Sequence, residues 1–111
     1  MLRLKKSADF LHISKNGARK ATNSLVLQKS VNDIGEIRVG FTVSKRVSKL
    51  SVERNRIKRR LRAAVKDIFP KKAESGFDYV IIGKVECLTK EFAEIKSDLE
   101  YALKKLSISS K

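Results

Sequence analysis

Apolar and polar positions along this chain repeat with two different periods, and the changes of period mark its elements. Residues 36–44 read EIRVGFTVS, with Ile37, Val39, Phe41 and Val43 at every second place and Arg38, Gly40, Thr42 and Ser44 between them. A period of two belongs to a strand with one buried face. Residues 24–30, SLVLQKS, put Leu25 and Leu27 on one face and Val26 and Gln28 on the other. Asn32-Asp33-Ile34-Gly35 lies between them as a turn. The two segments are expected to pair as an antiparallel hairpin. Residues 77–83, FDYVIIG, contain the run Val80-Ile81-Ile82, which suggests a more deeply buried strand. Gly40 leaves the polar face of its strand open to close approach by a ligand or a backbone.

Elsewhere the period lengthens to that of a helix. In the stretch 44–69, Ile57, Leu61, Ala64, Val65 and Ile68 fall within a sector about 100° wide at 100° per residue. Arg56, Arg59, Arg62 and Lys66 fall in the opposite sector, with Asn55 among them. Arg54 and Lys58 sit at the edge of the apolar side, and Arg60 on the other flank. Ser51 is placed to cap this helix, Glu53 suits its first turn, and Pro70 should end it. A shorter helix is expected from Ser7, its cap, to Asn16-Gly17, where Gly can take the left-handed conformation. Phe10 and Ile13 would face inward. The last helix is expected after a Thr89 cap, with Phe92, Ile95, Leu99, Ala102, Leu103 and Leu106 as its apolar stripe. Lys104 and Lys105 would complement its C-terminal end. Residues 1–6 read as a loosely held basic arm, 18–22 as a basic connection or short strand, and 107–111 as a frayed tail. A strand, a long helix and a strand in succession imply a crossover onto the same sheet.

Charge sharpens this picture. The chain has 111 residues, 41% apolar and 34% charged, with a net charge of +14. One domain, 1–111, is expected. Between Ser44 and Lys66 there are ten Lys or Arg residues opposed only by Glu53. With no carboxylates at i,i+4 to balance them, the cations repel one another unless an anion is bound. The row fits a polyanion better than a small ligand, and nucleic acid better than a membrane surface, since the apolar sector lacks Trp. The lone Cys87 allows no internal disulfide. No apolar run approaches a membrane span or a secretory signal, so a cytoplasmic location and no membrane partner are expected.

Catalytic chemistry is hard to find. His12 is the only histidine, which excludes a two-histidine ribonuclease mechanism, and it reads as an exposed helix residue. Cys87 reads as a small packing residue. Glu91, Glu94 and Asp98 share one side of the last helix, and their simplest reading is a solvated flank. There is no phosphate-binding loop, zinc ligand set or dinucleotide fingerprint. No catalytic residue and no metal ligand is expected on the chain itself.

One combination is more specific than a basic helix. Arg38-Val39-Gly40-Phe41-Thr42-Val43-Ser44-Lys45-Arg46 followed by Arg54-Asn55-Arg56-Ile57-Lys58-Arg59 closely resembles the protein component of bacterial ribonuclease P. The resemblance covers most of the chain. Ser7-Ala8-Asp9-Phe10 with Asn16-Gly17 matches the family's first helix, and Asp78-Tyr79-Val80-Ile81-Ile82 its late strand. It implies an α+β fold: a small two-layer sandwich, about four strands in a mixed sheet, αβββαβα order, and a left-handed crossover through the central helix. It also implies two partners, a catalytic RNA that uses Mg2+ and the precursor tRNA whose 5′ leader is removed. One protein per RNA is implied, with no cofactor bound by the protein. Carried onto this chain, the catalytic-RNA contacts are Lys45, Arg46, Arg54, Asn55, Arg56, Lys58, Arg59, Arg60 and Arg62. The 5′-leader cleft uses Phe10, Val26, Arg38, Gly40 and Thr42. Further aromatics common in the family's cleft are replaced here by Ser14 and Gln28. That moves the expected grip from stacking toward hydrogen bonds and charge. Residues 47–53 also depart from the family's V-G-x-A-V pattern and are one residue longer. A ribosomal or general RNA-binding protein is the alternative in which the basic helix acts alone. A protein-only nuclease is the enzyme alternative, and it would need a carboxylate cluster at the cleft.

Overall fold

The computed structural model describes residues 1–109, with side chains through Ser107. Its elements are β1 (Leu2–Arg3), α1 (Ser7–Asn16), β2 (Ala18–Ala21), β3 (Leu25–Val31), β4 (Arg38–Thr42), α2 (Ser51–Lys72), β5 (Phe77–Gly83), a 3-10 turn (Val85–Leu88) and α3 (Phe92–Ser109). The strands form one mixed sheet in the order β1-β4-β5-β3-β2. The α+β class holds, with five strands rather than about four.

The expected hairpin between 24–30 and 36–44 does not form. β5 lies between them, antiparallel to β3 from Leu25↔Gly83 to Val31↔Phe77 and parallel to β4 from Arg38↔Asp78 to Thr42↔Ile82. The most apolar strand takes the centre, where both its edges are paired and its inward face is covered. The segment after β3 therefore bridges two strand spacings, about 10 Å. Asn32 shapes that bridge, accepting from the Ile34 N–H at 3.1 Å and donating to the Glu36 carbonyl at 2.9 Å. The actual hairpin joins β2 to β3, from Ala18↔Lys29 to Ala21↔Val26.

The inward face of the sheet is sealed by two helices. Leu25, Leu27, Val39, Tyr79 and Ile81 meet Ile57, Leu61, Val65 and Phe69 of α2 and Ile95, Leu99 and Leu103 of α3 in one core. Phe69 meets Tyr79 edge to face at 5.0 Å. Lys29 continues the inward side of β3, and its ammonium is buried against Glu74 at 2.7 Å and the Phe77 ring at 4.1 Å. On the opposite face α1 covers only part of the sheet, through Leu4, Ile13 and Val80 with Phe10 and Ile82 at their edge. The N-terminal arm expected to be loose is an edge strand. Leu2 N–H donates to Ile37 O and Leu4 N–H to Val39 O, both at 2.9 Å, and Leu4 is buried.

Several element ends differ from expectation. Lys6, not Ser7, precedes α1. Gly17 is extended at φ −84°, not left-handed. Glycine is needed there because a Cβ would lie 2.7 Å from the carbonyl oxygens of both Ile13 and Lys29. Ser51 is the first residue of α2 and does not cap it. Ser48 serves that end instead, accepting from Leu50 N–H at 3.2 Å and donating to Glu53. Pro70 lies inside α2, which continues to Lys72. Pro70 cannot bond the Lys66 carbonyl and its ring crowds that carbonyl, but only Lys71 and Lys72 follow it, so little helix is left to disturb. Thr89 closes the 3-10 turn rather than opening α3, whose start is held by Glu94 accepting from Glu91 N–H at 3.3 Å. Because α3 runs on to Ser109, Lys104 and Lys105 are not in its last turn. Of the expected frayed tail, 107–109 is helical, and residues 110–111 lie outside the described residues.

Candidate nucleic-acid interface

Burying Ile57, Leu61, Ala64, Val65 and Phe69 fixes the rotation of α2 about its axis. That rotation turns Asn55, Arg56, Arg59, Arg62 and Lys66 outward, all exposed. Successive cations of the row stand roughly 5 Å apart along the axis, on a helix that cannot roll. Lys45 and Arg46 are exposed on the turn before α2, and Lys58 is half-buried at its side. Arg54 and Arg60 spend donors inside the protein. Arg54 Nη1 donates to Ser48 O at 2.8 Å. Arg60 donates to Leu88 O at 3.1 Å and to Lys90 O. Arg62 lies 5.7 Å from the centre of the Phe41 ring.

The part of the sheet that α1 leaves uncovered opens into a cleft of about 570 Å³, lined by Ser7, Phe10, Leu11, Ser14, Arg19, Gln28, Phe41, Thr42, Val80 and Ile82. Its only charged wall residue is Arg19, so the cleft favours an anionic or neutral guest. Of the five residues carried over to this cleft, Phe10 and Thr42 line it. Gly40 lies beneath the Phe10 ring, where a Cβ would meet Cζ at 2.5 Å. The close approach expected at Gly40 is thus made by a side chain of the same protein. Val26 is buried and outside the lining. Arg38 is bound in a two-pronged pair to Asp78, Nε to Oδ1 and Nη2 to Oδ2, each at 2.7 Å. Asn32 donates to the same carboxylate at 2.8 Å, and Asp9 of α1 lies 3.9 Å from Arg38 Nη1. The Asp78 hydrogen bond raises the Arg38 pKa further, against a smaller opposing effect of burial. Ser14 and Gln28, expected from the resemblance to stand in the places of further aromatics, both line the cleft. Arg19 was hidden in the basic connection 18–22. Its alternation with Ala18 and Lys20 was the only signal of a strand face.

The carboxylates of α3 are not one solvated flank. Asp98 is partly buried and accepts from Ser24 Oγ at 2.6 Å and Ser24 N–H at 3.2 Å, which docks α3 on the start of β3. Glu94 faces Lys90 at 3.6 Å. Cys87 is fully buried, and burial pushes its thiol pKa up. His12 is exposed, with Asn16 Nδ2 3.2 Å from its Nδ1. Among the described residues no group of three or more His, Cys, Asp or Glu is placed to hold a metal ion. No helix among them is long and apolar enough to cross a membrane.

The class defined by these features is a small α+β protein whose mixed sheet is sealed on one side by two helices, one with a basic outer face, and left partly open on the other. The family model for ribonuclease P matches residues 1–107, and the chain belongs to that family. It is similar to the ribonuclease P protein component of Paramagnetospirillum magneticum, 45% identical over 114 residues covering 98% of this chain and 85% of the relative. The corresponding protein of Ruegeria pomeroyi is 41% identical over 93% of this chain and 84% of its own length. Among solved structures, the Staphylococcus aureus RNase P protein aligns with a TM-score of 0.78 at 31% identity, over 95% of this chain and 94% of that one. The Thermotoga maritima RNase P protein aligns with a TM-score of 0.79 at 26% identity, over 95% of this chain and 97% of that one.

Proposed function

We propose that this chain holds the catalytic RNA of ribonuclease P on the outer face of α2 and the 5′ leader of precursor tRNA in the cleft beside α1. The RNA, with its Mg2+, cuts the leader away endonucleolytically and leaves the mature 5′ end. The protein's work is positional. Family membership supports the subunit role. The observation that carries the division of labour is the pair of unlike surfaces on opposite sides of one sheet.

The α2 face is a rigid row of exposed cations suited to phosphates, and arginines there can offer two donors at once. The cleft has apolar walls at Phe10, Leu11 and Ile82, hydroxyls at Ser7, Ser14 and Thr42, the Gln28 amide and one cation. Those groups suit single-stranded RNA, whose bases are free to leave the stack. No His, Asp or Glu lines the cleft to activate its hydroxyls, so the reading assigns bond cleavage to the RNA. Holding leader and catalytic RNA on one scaffold raises the effective concentration of each for the other. One protein per RNA, working in the cytoplasm where precursor tRNA is made, completes the proposal.

The test is cleavage of precursor tRNA by the protein alone, by a cognate catalytic RNA alone and by both together. The proposal expects cleavage to need the RNA, and the protein to strengthen binding of leader-bearing tRNA over mature tRNA. Cleavage by the protein alone would refute it.

A further inference from the structure

Where α2 meets the start of α3 there is a second recess, of about 490 Å³, lined by Arg56, Arg59, Arg60, Ala63 and Phe92. Three features make it more than a crease. The small side chain of Ala63 leaves a gap in an otherwise long-chained surface. Arg60, bonded to the carbonyls of Leu88 and Lys90, ties the segment leading into α3 to α2 and fixes the wall on which Phe92 stands. Arg56 and Arg59 are exposed, and among the described residues neither is in an ion pair. No carboxylate lines the recess.

Phosphates alone would need only the arginines. An aromatic side chain beside them adds a surface on which a flat ring can lie, and every nucleobase has such a face. Phe92 is half-buried: it packs against the edge of the core and has the Lys96 ammonium 5.1 Å from its ring centre. We propose that this recess takes one unstacked nucleotide of the catalytic RNA, its base against Phe92 and its phosphates on Arg56 and Arg59. The inference rests on the reading of the α2 face as the RNA-binding surface and adds a base-sized contact to it. Phe92 is then a residue of the interface as well as the first apolar position of α3.

The experiment measures binding of the cognate catalytic RNA across a salt series for the intact protein and for Phe92→Leu, Phe92→Tyr, Ala63→Leu and Arg59→Ala, each with a thermal melt. Leucine keeps the packing and removes the ring. Tyrosine keeps the ring. Leucine at the exposed position 63 fills the recess without entering the core. Phe92→Leu and Ala63→Leu are expected to weaken binding about five- to a hundred-and-sixtyfold, the range for losing one stacked base, with the salt slope unchanged. Phe92→Tyr should bind like the parent. Arg59→Ala should lower the salt slope by about 0.7–0.9. If Arg59→Ala changes the slope while Phe92→Leu and Ala63→Leu bind like the parent, the recess holds no nucleotide and the α2 reading stands. If Arg59→Ala also binds like the parent, both fall. Should Phe92→Leu melt early, Ala63→Leu alone decides.

Discussion

Gly40→Ala tests the cleft with a single carbon atom. The new Cβ would lie 2.5 Å from Phe10 Cζ, 2.6 Å from Phe10 Cε1 and 3.1 Å from Leu4 Cβ. Carbon atoms rest at about 3.5–4 Å, so the Phe10 ring must retreat by roughly 1 Å. Two energies oppose each other. Overpacking costs about 1–3 kcal/mol, and replacing glycine in a strand returns about 0.5–1 kcal/mol. The net loss should be about 1 kcal/mol, a fall in Tm of about 5 °C for a domain of this size. The atom in the way is the far end of a ring on α1, and α1 is held to the sheet by few side chains. It should yield before β4 does.

The folded protein then carries a displaced wall in the proposed leader cleft and an unaltered α2 face. The assay compares binding of leader-bearing and mature tRNA by the reconstituted ribonucleoprotein, beside binding of the catalytic RNA by the protein alone. Preference for the leader should fall about tenfold, within what a misplacement of about 1 Å can cost. Affinity for the catalytic RNA should be unchanged. A folded variant with its leader preference intact would refute the placement of the cleft. A fall in Tm above about 15 °C would refute the argument that Phe10 gives way first.

Replacing both Arg56 and Arg59 by Ala should flatten the salt dependence of catalytic-RNA binding by about 0.7–0.9 log units per lost phosphate contact; an unchanged slope in filter binding counts against that face. Arg38→Ala leaves the Asp78 side chain, 6% exposed, with Asn32 as its remaining side-chain donor. It should cost about 2 kcal/mol in denaturant melts, less than a fully buried pair because Arg38 is partly solvated. Leader-bearing and mature tRNA should suffer alike, and a loss confined to the leader would restore Arg38 to the cleft. Burial raises the Cys87 thiol and the Tyr79 hydroxyl above their ordinary values, so the folded chain keeps protons that the unfolded chain releases. Stability should be undiminished by these groups below about pH 9 and fall above it, and alkylation of Cys87 should track unfolding. Rapid alkylation of the native protein would contradict its burial.

What the sequence made legible was periodicity. The alternation in residues 36–44 and the 3.6-residue spacing from Ile57 to Ile68 are set by burial on one side, although the structure buries Phe69 more deeply than Ile68. The rotation of α2, and with it the cation row, followed directly. Pairing was less legible, because an alternating strand does not say which neighbour it chooses. β5 could be read as the most buried strand, but its insertion between β3 and β4 depends on the whole sheet. Caps were misread where the nearest hydroxyl was not the one used: Ser48 reaches Glu53 and Leu50 by a turn no local pattern announces. Leu2 and Leu4 gave too short a pattern to show an edge strand. At the site, Arg38 sits on the expected strand face, but only the structure shows Asp78 taking both prongs of its guanidinium. Arg19 and Gln28 come to the cleft from strands whose order could not be read from either one alone.

The charge that suits this protein to RNA works against the protein when it is alone. Its net charge is +14, and α2 itself carries nine Lys or Arg residues against two carboxylates. Ion pairs join Lys29, Arg38, Lys90 and Lys96 to acids, and among the described residues none includes Arg56, Arg59 or Arg62. Folding therefore gathers cations that the unfolded chain keeps further apart, and the folded state bears the repulsion. An anion bound only by the folded state stabilises it in proportion to the logarithm of its concentration. General screening and site binding predict different results. Sulfate also stabilises by exclusion from the surface, so the site's share is the part of the sodium sulfate gain in Tm over sodium chloride, at matched ionic strength, that disappears when Arg56 and Arg59 are both Ala. A sulfate gain left unchanged by the double substitution would mean that the row is merely screened, with no geometry that holds a multivalent anion. That geometry is what an RNA backbone would need.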